Sequence, residues 1–143
     1  MSAVDPDVAR VSDPAVVASV LDPFGRYEAA LVVNDVDALD EFMWRDERLV
    51  RVGIDDRQDG FAEVSAFRRA QVRQTPARTL HDTTVVTFGD HTAVVTTNFV
   101  PTDGSPSGRQ SQTWVRMPEG WRIVAAHVSW PASALRQALD SQT

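Results

Sequence analysis

The chain has 143 residues, a formal net charge of −6 and no cysteine. This length fits one domain with a proper core, and the lack of cysteine excludes disulfides, thiolate metal ligands and a cysteine nucleophile. The negative charge argues against nucleic acid or an anionic membrane surface as a partner. No apolar run approaches the roughly 18 residues of a membrane span, and the acidic start lacks the apolar core of a signal peptide. We therefore expect a cytoplasmic protein with a flexible leader over residues 1–12 and a single domain over residues 13–143.

The first half of the chain predicts helices. Asp13 followed by Pro14 is a helix-start signal, and apolar residues continue at helical spacing as far as Leu31. A second such signal at residues 22–23 predicts a kink, or a break and restart, within that helix. The next expected elements are a short helix after Asn34-Asp35, a strand over 49–54, a polar turn over 55–60 and a third helix from Phe61 to Arg73. The arginines that end this third helix, Arg68, Arg69 and Arg73, are explained by the helix dipole in preference to substrate steering.

From residue 78 onward the sequence predicts strands. Segments rich in Thr and Val at 79–88 and 92–100 flank a hairpin turn at Gly89-Asp90-His91. Two more strands between residues 108 and 131 meet at a Pro118-Glu119-Gly120 turn, and Pro131 starts a short C-terminal helix. Helices first and a four-stranded antiparallel run last indicate an α+β domain. The expected shape is a cone, in which a curved sheet wraps around the early helices and leaves an internal pocket.

The last strand is largely apolar on both of its faces. Strict alternation groups its residues into two sets, Ile123, Ala125, His127 and Ser129 on one face and Val124, Ala126, Val128 and Trp130 on the other. Three helices cannot cover both faces of the sheet, and uncovered residues such as Trp130 would form an adhesive surface. We therefore expect a homodimer formed through the sheet.

Two polar side chains interrupt the apolar pattern and are candidates for a functional site. Tyr27 lies on the apolar stripe of the first helix, either as a core residue or as a hydrogen-bonding group in a pocket. Arg51 lies within an apolar strand, where a guanidinium needs a carboxylate partner or water. It forms either a structural salt bridge to Asp46, Glu28 or Asp22, or a fork that binds an anionic ligand. The residues alone leave these two interpretations open.

The three histidines have no metal-binding spacing, so we expect neither a metal nor another cofactor. His81 and His91 have no assignable role. His127 and Ser129 share a strand face, but neighbours along one strand seldom reach the geometry of a catalytic triad. His127 is either a buried, hydrogen-bonded histidine or a donor that lines the pocket. Gln110, Gln112 and Trp114 share one face of the preceding strand, and would line either a pocket or a partner surface.

Several motifs resemble one particular group of proteins. The segments are Y-E-A-A-L at 27–31, N-D at 34–35, F-M-W at 42–44, V-R-V-G at 50–53, A-F-R at 66–68, G-R-Q-S-Q-T-W at 108–114 and G-W-R-I-V-A-A-H-V-S at 120–129. The element order resembles the nuclear-transport-factor-2-like (NTF2-like) cone, also called cystatin-like or SnoaL-like. The motifs resemble the AtzH-like subfamily, typified by the decarboxylating amidohydrolase of cyanuric-acid degradation, which converts 1,3-dicarboxyurea to allophanate.

The resemblance implies a small, cofactor-free amidohydrolase acting on an anionic urea- or carbamate-like molecule. Tyr27 and Arg51 would be the catalytic residues, and the substrate-binding residues would be Trp44, Gln112, His127 and Ser129. This hypothesis requires Arg51 to have no carboxylate partner within the protein. The alternatives are a non-catalytic domain that binds a small carboxylate or assists an amidase, and a polyketide-cyclase- or isomerase-like enzyme. The isomerase alternative is disfavoured, because Arg51 stands where a carboxylate base is expected and cannot accept a proton.

Overall fold

The computed structural model describes residues 10–71 and 75–140, which form helices packed on one curved sheet. The helices are α1 (Pro14–Val32), α2 (Val36–Phe42), α3 (Phe61–Ala70) and α4 (Ala132–Asp140). The strands are β1 (Val50–Val52), β2 (Arg57–Asp59), β3 (Arg78–Phe88), β4 (Thr92–Pro101), β5 (Gly108–Met117) and β6 (Gly120–Ser129). The expected α+β architecture and its cone-shaped sheet are confirmed.

The six strands lie in the order β2-β1-β6-β5-β4-β3. Among these described strands, β1 and β6 pair in parallel and the other neighbours pair antiparallel. The prediction of a polar turn over residues 55–60 was wrong, because β2 folds back there onto β1 and pairs Gln58 with Arg51. Two of its three residues are charged, as is common on an edge strand, and so the segment lacks an apolar strand pattern.

Helix α1 confirms the predicted start and corrects the predicted break. Asp13 caps the helix, since its carboxylate accepts a 2.9 Å hydrogen bond from the backbone N–H of Ala15. The helix then continues through Pro23 without interruption as far as Val32. A proline removes one backbone donor, but burial of Val20, Phe24 and Tyr27 on both sides of it holds the helix to the sheet.

The core fills the space between α1, α2 and the concave face of the sheet. The rings of Tyr27, Phe42 and Trp114 meet edge to face, with centroids 6.3 Å apart in each pair. The indole N–H of Trp121 donates a 3.1 Å hydrogen bond to Ser19, which ties β6 to α1. None of the helices in the described part of the chain has the length and apolar content needed to cross a membrane.

A bulge in β6 corrects the predicted faces of this strand. The pairing with β5 shifts between Thr113 and Trp114, so that Val124 has no partner of its own. Ile123 therefore points into the core and is 0% exposed, whereas Ala125 and His127 are exposed on the outer face. The prediction that Ile123 shares a face with His127 was wrong, because strict alternation does not hold across a bulge.

One end of each of two predicted segments falls outside the described residues. Residues 1–9 of the predicted leader lie there, whereas Val11 bridges to Phe88 and Ser12 donates a 2.9 Å backbone hydrogen bond to Thr87. Helix α3 ends at Ala70, and Arg73, the predicted end of this helix, also lies outside the described residues.

Candidate functional site

A cavity of about 600 Å³ lies between α1, α3 and the concave side of the sheet. Apolar side chains such as Leu31, Phe67 and Phe99 form part of its wall. Three arginines and three glutamines provide polar groups in the same wall, namely Arg51, Arg68, Arg78, Gln71, Gln110 and Gln112. A mostly apolar hollow with a few convergent polar groups is typical of a small-molecule site.

Tyr27 and Arg68 form the innermost polar contact of this cavity. Tyr27 is 3% exposed, and its ring is fixed by the edges of Phe42 and Trp114. Nη2 of Arg68 donates a 2.8 Å hydrogen bond to the Tyr27 hydroxyl oxygen. Since this oxygen serves as the acceptor, the tyrosine keeps its own O–H proton for another partner.

The positive charge of Arg68 has no counterion in the described part of the chain. Arg68 is 3% exposed, and no carboxylate among residues 10–71 and 75–140 pairs with it. Its Nε is buried and has no hydrogen-bond acceptor within the same described ranges. A buried guanidinium normally has a carboxylate partner or a ligand, so this one is a candidate anion-binding group.

The dipole explanation given for the arginines of α3 does not account for the burial of Arg68. The neighbouring Arg69 fits it, since this side chain is 55% exposed and pairs with Asp37. Arg68 instead lies one helical turn after the buried Val64, on the inward stripe of α3. That spacing is the signal in the sequence that could have identified it.

Arg51 does point into the cavity, but the expectation that it has no carboxylate partner was wrong. Its Nη1 donates to Asp56 Oδ1 at 2.7 Å and to Gln58 Oε1 at 2.9 Å. Gln58 Nε2 donates to the same Asp56 oxygen at 2.8 Å, which closes a triangle. The partner is none of the three carboxylates considered from the sequence, because β2 brings Asp56 and Gln58 back beside Arg51.

The electrostatic surroundings of Arg51 are not neutral despite this pair. Burial lowers the pKa of the Arg51 guanidinium, the adjacent charge of Arg68 lowers it further, and Tyr27 and Asp56 oppose the shift. An arginine remains charged even so. Two guanidinium groups and one carboxylate therefore share this end of the cavity, which favours the binding of an additional anion there.

Arg78 provides a second polar cluster, at a different part of the wall. Glu28 holds it through two oxygens, one contacting Nε and the other Nη2 at 3.0 Å. Nη2 also donates to Gln110 Oε1 at 2.9 Å, and the guanidinium lies 4.4 Å from the centroid of Phe99. This cluster is electrically balanced, since Glu28 compensates Arg78.

The other candidate residues from the sequence are more scattered. Gln112 lines the cavity and accepts a 2.9 Å hydrogen bond from the Trp114 indole. Trp44 lies away from the cavity lining, packed on the core with Arg48 5.0 Å above its ring. His127 borders the cavity, but it is exposed and paired with Ser111 on the outer face. Ser129 is absent from the lining of this cavity and borders a separate, smaller groove together with His127.

The described residues hold no group of three or more His, Asp or Glu side chains that could bind a metal ion. The arginines and glutamines of the cavity wall offer hydrogen-bond donors and positive charge to a ligand. The two carboxylates of this wall are Asp56, which Arg51 and Gln58 engage, and Asp103, which is exposed on the loop between β4 and β5. The arrangement can bind an anion and can supply a proton from Tyr27.

Solved structures similar to this chain share its fold. A protein of unknown function from the DUF3225 family of Pectobacterium atrosepticum SCRI1043 is 46% identical, with a TM-score of 0.83 over 91% of this chain and 100% of that one. A cystatin-like fold protein from Burkholderia xenovorans LB400 is 43% identical, with a TM-score of 0.81 over 86% of this chain and 97% of that one. An NTF2-like protein of unknown function from Pseudomonas putida KT2440 is 16% identical, with a TM-score of 0.71 over 83% and 89% of the two chains, and shows the fold alone.

Among proteins of curated function, none matches this chain significantly. The sequence profile of the AtzH-like family matches residues 9–134, which include every residue of the cavity described above. The chain therefore belongs to the AtzH-like family, on an NTF2-like fold.

Proposed function

We propose that this protein is a cofactor-free enzyme of the decarboxylating amidohydrolase type, acting on a small anionic urea- or carbamate-like molecule. One observation carries the proposal, namely that Arg68 is buried in the cavity, has no counterion among residues 10–71 and 75–140, and donates to the Tyr27 hydroxyl. A carboxylate bound by Arg68 would supply the missing negative charge and an acceptor for its N–H groups. The substrate class comes from the resemblance to the cyanuric-acid-pathway amidohydrolase, whose substrate is 1,3-dicarboxyurea.

Tyr27 is the proposed proton donor. Its oxygen already accepts a hydrogen bond from Arg68, so the O–H proton is available to the substrate. In the proposed step, the C–N bond to the departing carboxyl group breaks and its electron pair stays on nitrogen. Tyr27 gives its proton to that nitrogen, and the carboxyl group leaves as CO₂. The charge of Arg68 stabilises the phenolate that forms, and a proton from water restores the tyrosine.

This chemistry suits the groups in the cavity because it needs no activated water. Asp56 accepts hydrogen bonds from Arg51 and Gln58, so its carboxylate is already engaged. Arg51 has a supporting role in this scheme, raising the positive potential around Arg68 instead of acting as the sole anion clamp. The position of Arg51 also disfavours isomerase chemistry, since a guanidinium cannot accept a proton.

The test is turnover of 1,3-dicarboxyurea by the purified protein, followed by NMR detection of allophanate. We expect saturable turnover, with kcat reduced about 10²- to 10⁴-fold in Tyr27→Phe, as for the loss of a general acid. Arg69→Met, which removes an exposed charge from the same helix, is the matched control and should retain turnover. A folded wild-type protein that leaves the compound unchanged would exclude this reaction.

A second candidate function is a non-catalytic domain that binds a small carboxylate or assists an amidase. The engagement of Asp56 favours this function over a hydrolase that activates water, because such a hydrolase needs a free base. Such a protein would be stabilised thermally by its ligand without forming a product. The same turnover experiment, read together with a thermal shift, therefore separates the two functions.

A further inference from the structure

We infer that Gln110 is a second recognition point in the cavity, so that the ligand is a two-ended molecule with a carboxylate at Arg68 and an oxygen acceptor at Gln110. This inference rests on the proposed function, because it assumes that Arg68 binds the first end. It adds a named specificity-determining residue and the chemistry that this residue selects.

The amide of Gln110 has a buried donor that nothing in the described structure uses. Gln110 is 5% exposed, lines the cavity, and its Nε2 has no hydrogen-bond partner among the described residues. A buried N–H group without a partner is costly. Native proteins retain such a group where a ligand or an ordered water completes it.

The orientation of this amide is fixed by its neighbours. Its Oε1 accepts a 2.9 Å hydrogen bond from Nη2 of Arg78. If the amide were flipped, its NH₂ group would face the N–H groups of Arg78, and two donors would meet without an acceptor. Arg78 is in turn held by Glu28 on one edge and lies over the ring of Phe99. The Nε2 donor therefore cannot satisfy itself by rotating toward Arg78.

The two recognition points lie at different levels of the cavity. Arg51, which lies close enough to Arg68 for that charge to lower its pKa, pairs with Ala126, and Ala126 pairs with Gln112 on β5. Gln110 lies two residues further along β5, so its backbone is about 7 Å from that of Gln112 at a rise of roughly 3.4 Å per residue. This separation suits a compact molecule with a polar group at each end.

The second end selects an oxygen acceptor and does not require a charge. Glu28 balances the charge of Arg78, and Gln110 offers a neutral N–H donor. An amide carbonyl and a carboxylate both accept from such a donor, whereas a methyl group would exclude water and leave the donor unpaired. The expected substrate class is thus a carboxylate carrying a carbonyl, amide or second carboxylate at its far end.

Three probes of equal chain length test this inference, namely butyrate, succinamate and succinate, which end in a methyl, an amide and a carboxylate. Calorimetric titration of the wild-type protein should give succinamate and succinate about tenfold lower Kd values than butyrate, as for one hydrogen bond. Gln110→Met and Gln110→Glu should each reduce this preference to within about twofold. Gln110→Glu retains an oxygen acceptor for Arg78, so a loss of preference in this variant does not come from loss of the Arg78 contact. Gln137→Met, at an exposed position of α4, is the matched control.

The outcomes separate failure of this inference from failure of the proposed function. Equal binding of the three probes by the wild-type protein, or an unchanged preference in Gln110→Glu, would overturn the second recognition point. If Arg68→Met weakens butyrate binding in that case, the carboxylate end still stands. Failure of all three probes to bind the wild-type protein would overturn the carboxylate site and this inference with it.

Discussion

The hydroxyl oxygen of Tyr27 accepts a 2.8 Å hydrogen bond from Nη2 of Arg68, across 41 residues of sequence and between two different helices. The contact joins α1 to α3 at the inner end of the cavity. Because both side chains are buried, each depends on the other for a hydrogen bond. This dependence leads to a stability prediction that is separate from catalysis.

Replacing Tyr27 by Phe should destabilise the fold although the ring is retained. The variant removes the acceptor of a buried, charged donor, which costs about 1–3 kcal/mol in the free energy of unfolding. Urea denaturation of the wild-type and variant proteins measures the difference. Equal stability would mean that water replaces the hydroxyl, and that Arg68 is less enclosed than described.

Freeing Arg51 from its partner should strengthen anion binding. Asp56→Asn removes one negative charge from the cavity and should lower the Kd for succinate about three- to tenfold, at some cost in stability. Gly53→Ala should act similarly, because its Cβ would lie 2.5 Å from both carboxylate oxygens of Asp56 and displace them. Asp55→Asn makes the same change of charge at an exposed neighbour and serves as the control. An unchanged or weaker affinity in Asp56→Asn would show that the Arg51 triangle does not face the ligand.

The turn that leads into β1 should be sensitive to acid. The hydrogen bonds from Arg48 to Asp46 lower the pKa of this carboxyl to about 2. Because the folded pKa lies below its unfolded value of about 4, the interaction stabilises the fold above pH 4 and is lost as the pH falls toward 2. NMR titration of the Asp46 carboxyl carbon should show this low midpoint, and Arg48→Met should move it upward. A normal midpoint in the wild-type protein would refute the interaction.

A homodimer through the sheet remains a prediction, but it needs a different surface. Trp114 is 0% exposed in the core, and Val128 and Trp130 line the cavity, so these residues do not form an outer apolar face. The register instead aligns a row across the outer face, composed of Val86, Val94, Thr113, Ala125 and Val50. Sedimentation should detect a dimer that Ala125→Arg disrupts, and a stable wild-type monomer at micromolar concentration would contradict this.

The sequence predicted the elements whose signals are local. The caps at Asp13 and Asp35 mark the starts of α1 and α2, and the Thr- and Val-rich segments became β3 and β4. Periodicity placed Tyr27 on the apolar stripe of α1 and grouped Gln112 with Gln110 on one face of β5, leaving open whether that face lines a pocket or a partner surface, and all three residues line the cavity. These features follow from neighbours within one element, which a single sequence contains.

The features that the sequence did not reveal depend on contacts between elements. The charged strand β2 exists through its pairing with β1, and this pairing supplies Asp56 to Arg51. The bulge at Val124 reverses the faces of β6 and turns His127 outward. The contact between Arg68 and Tyr27 forms when α3 packs beside α1, and the sequence signal for it is weak because the helix dipole explains an arginine at that position equally well.

The most direct test of the central claim is the affinity of Arg68→Met for succinate, measured by calorimetry beside the wild-type protein and Arg69→Met. If Arg68 is the anion-binding group, its removal should raise the Kd about 10- to 100-fold, the worth of a charged hydrogen bond. Arg69→Met, which loses an exposed arginine from the same helix, should bind like the wild-type protein. Unaltered binding by a folded Arg68→Met variant would contradict the assignment of this buried charge to a ligand.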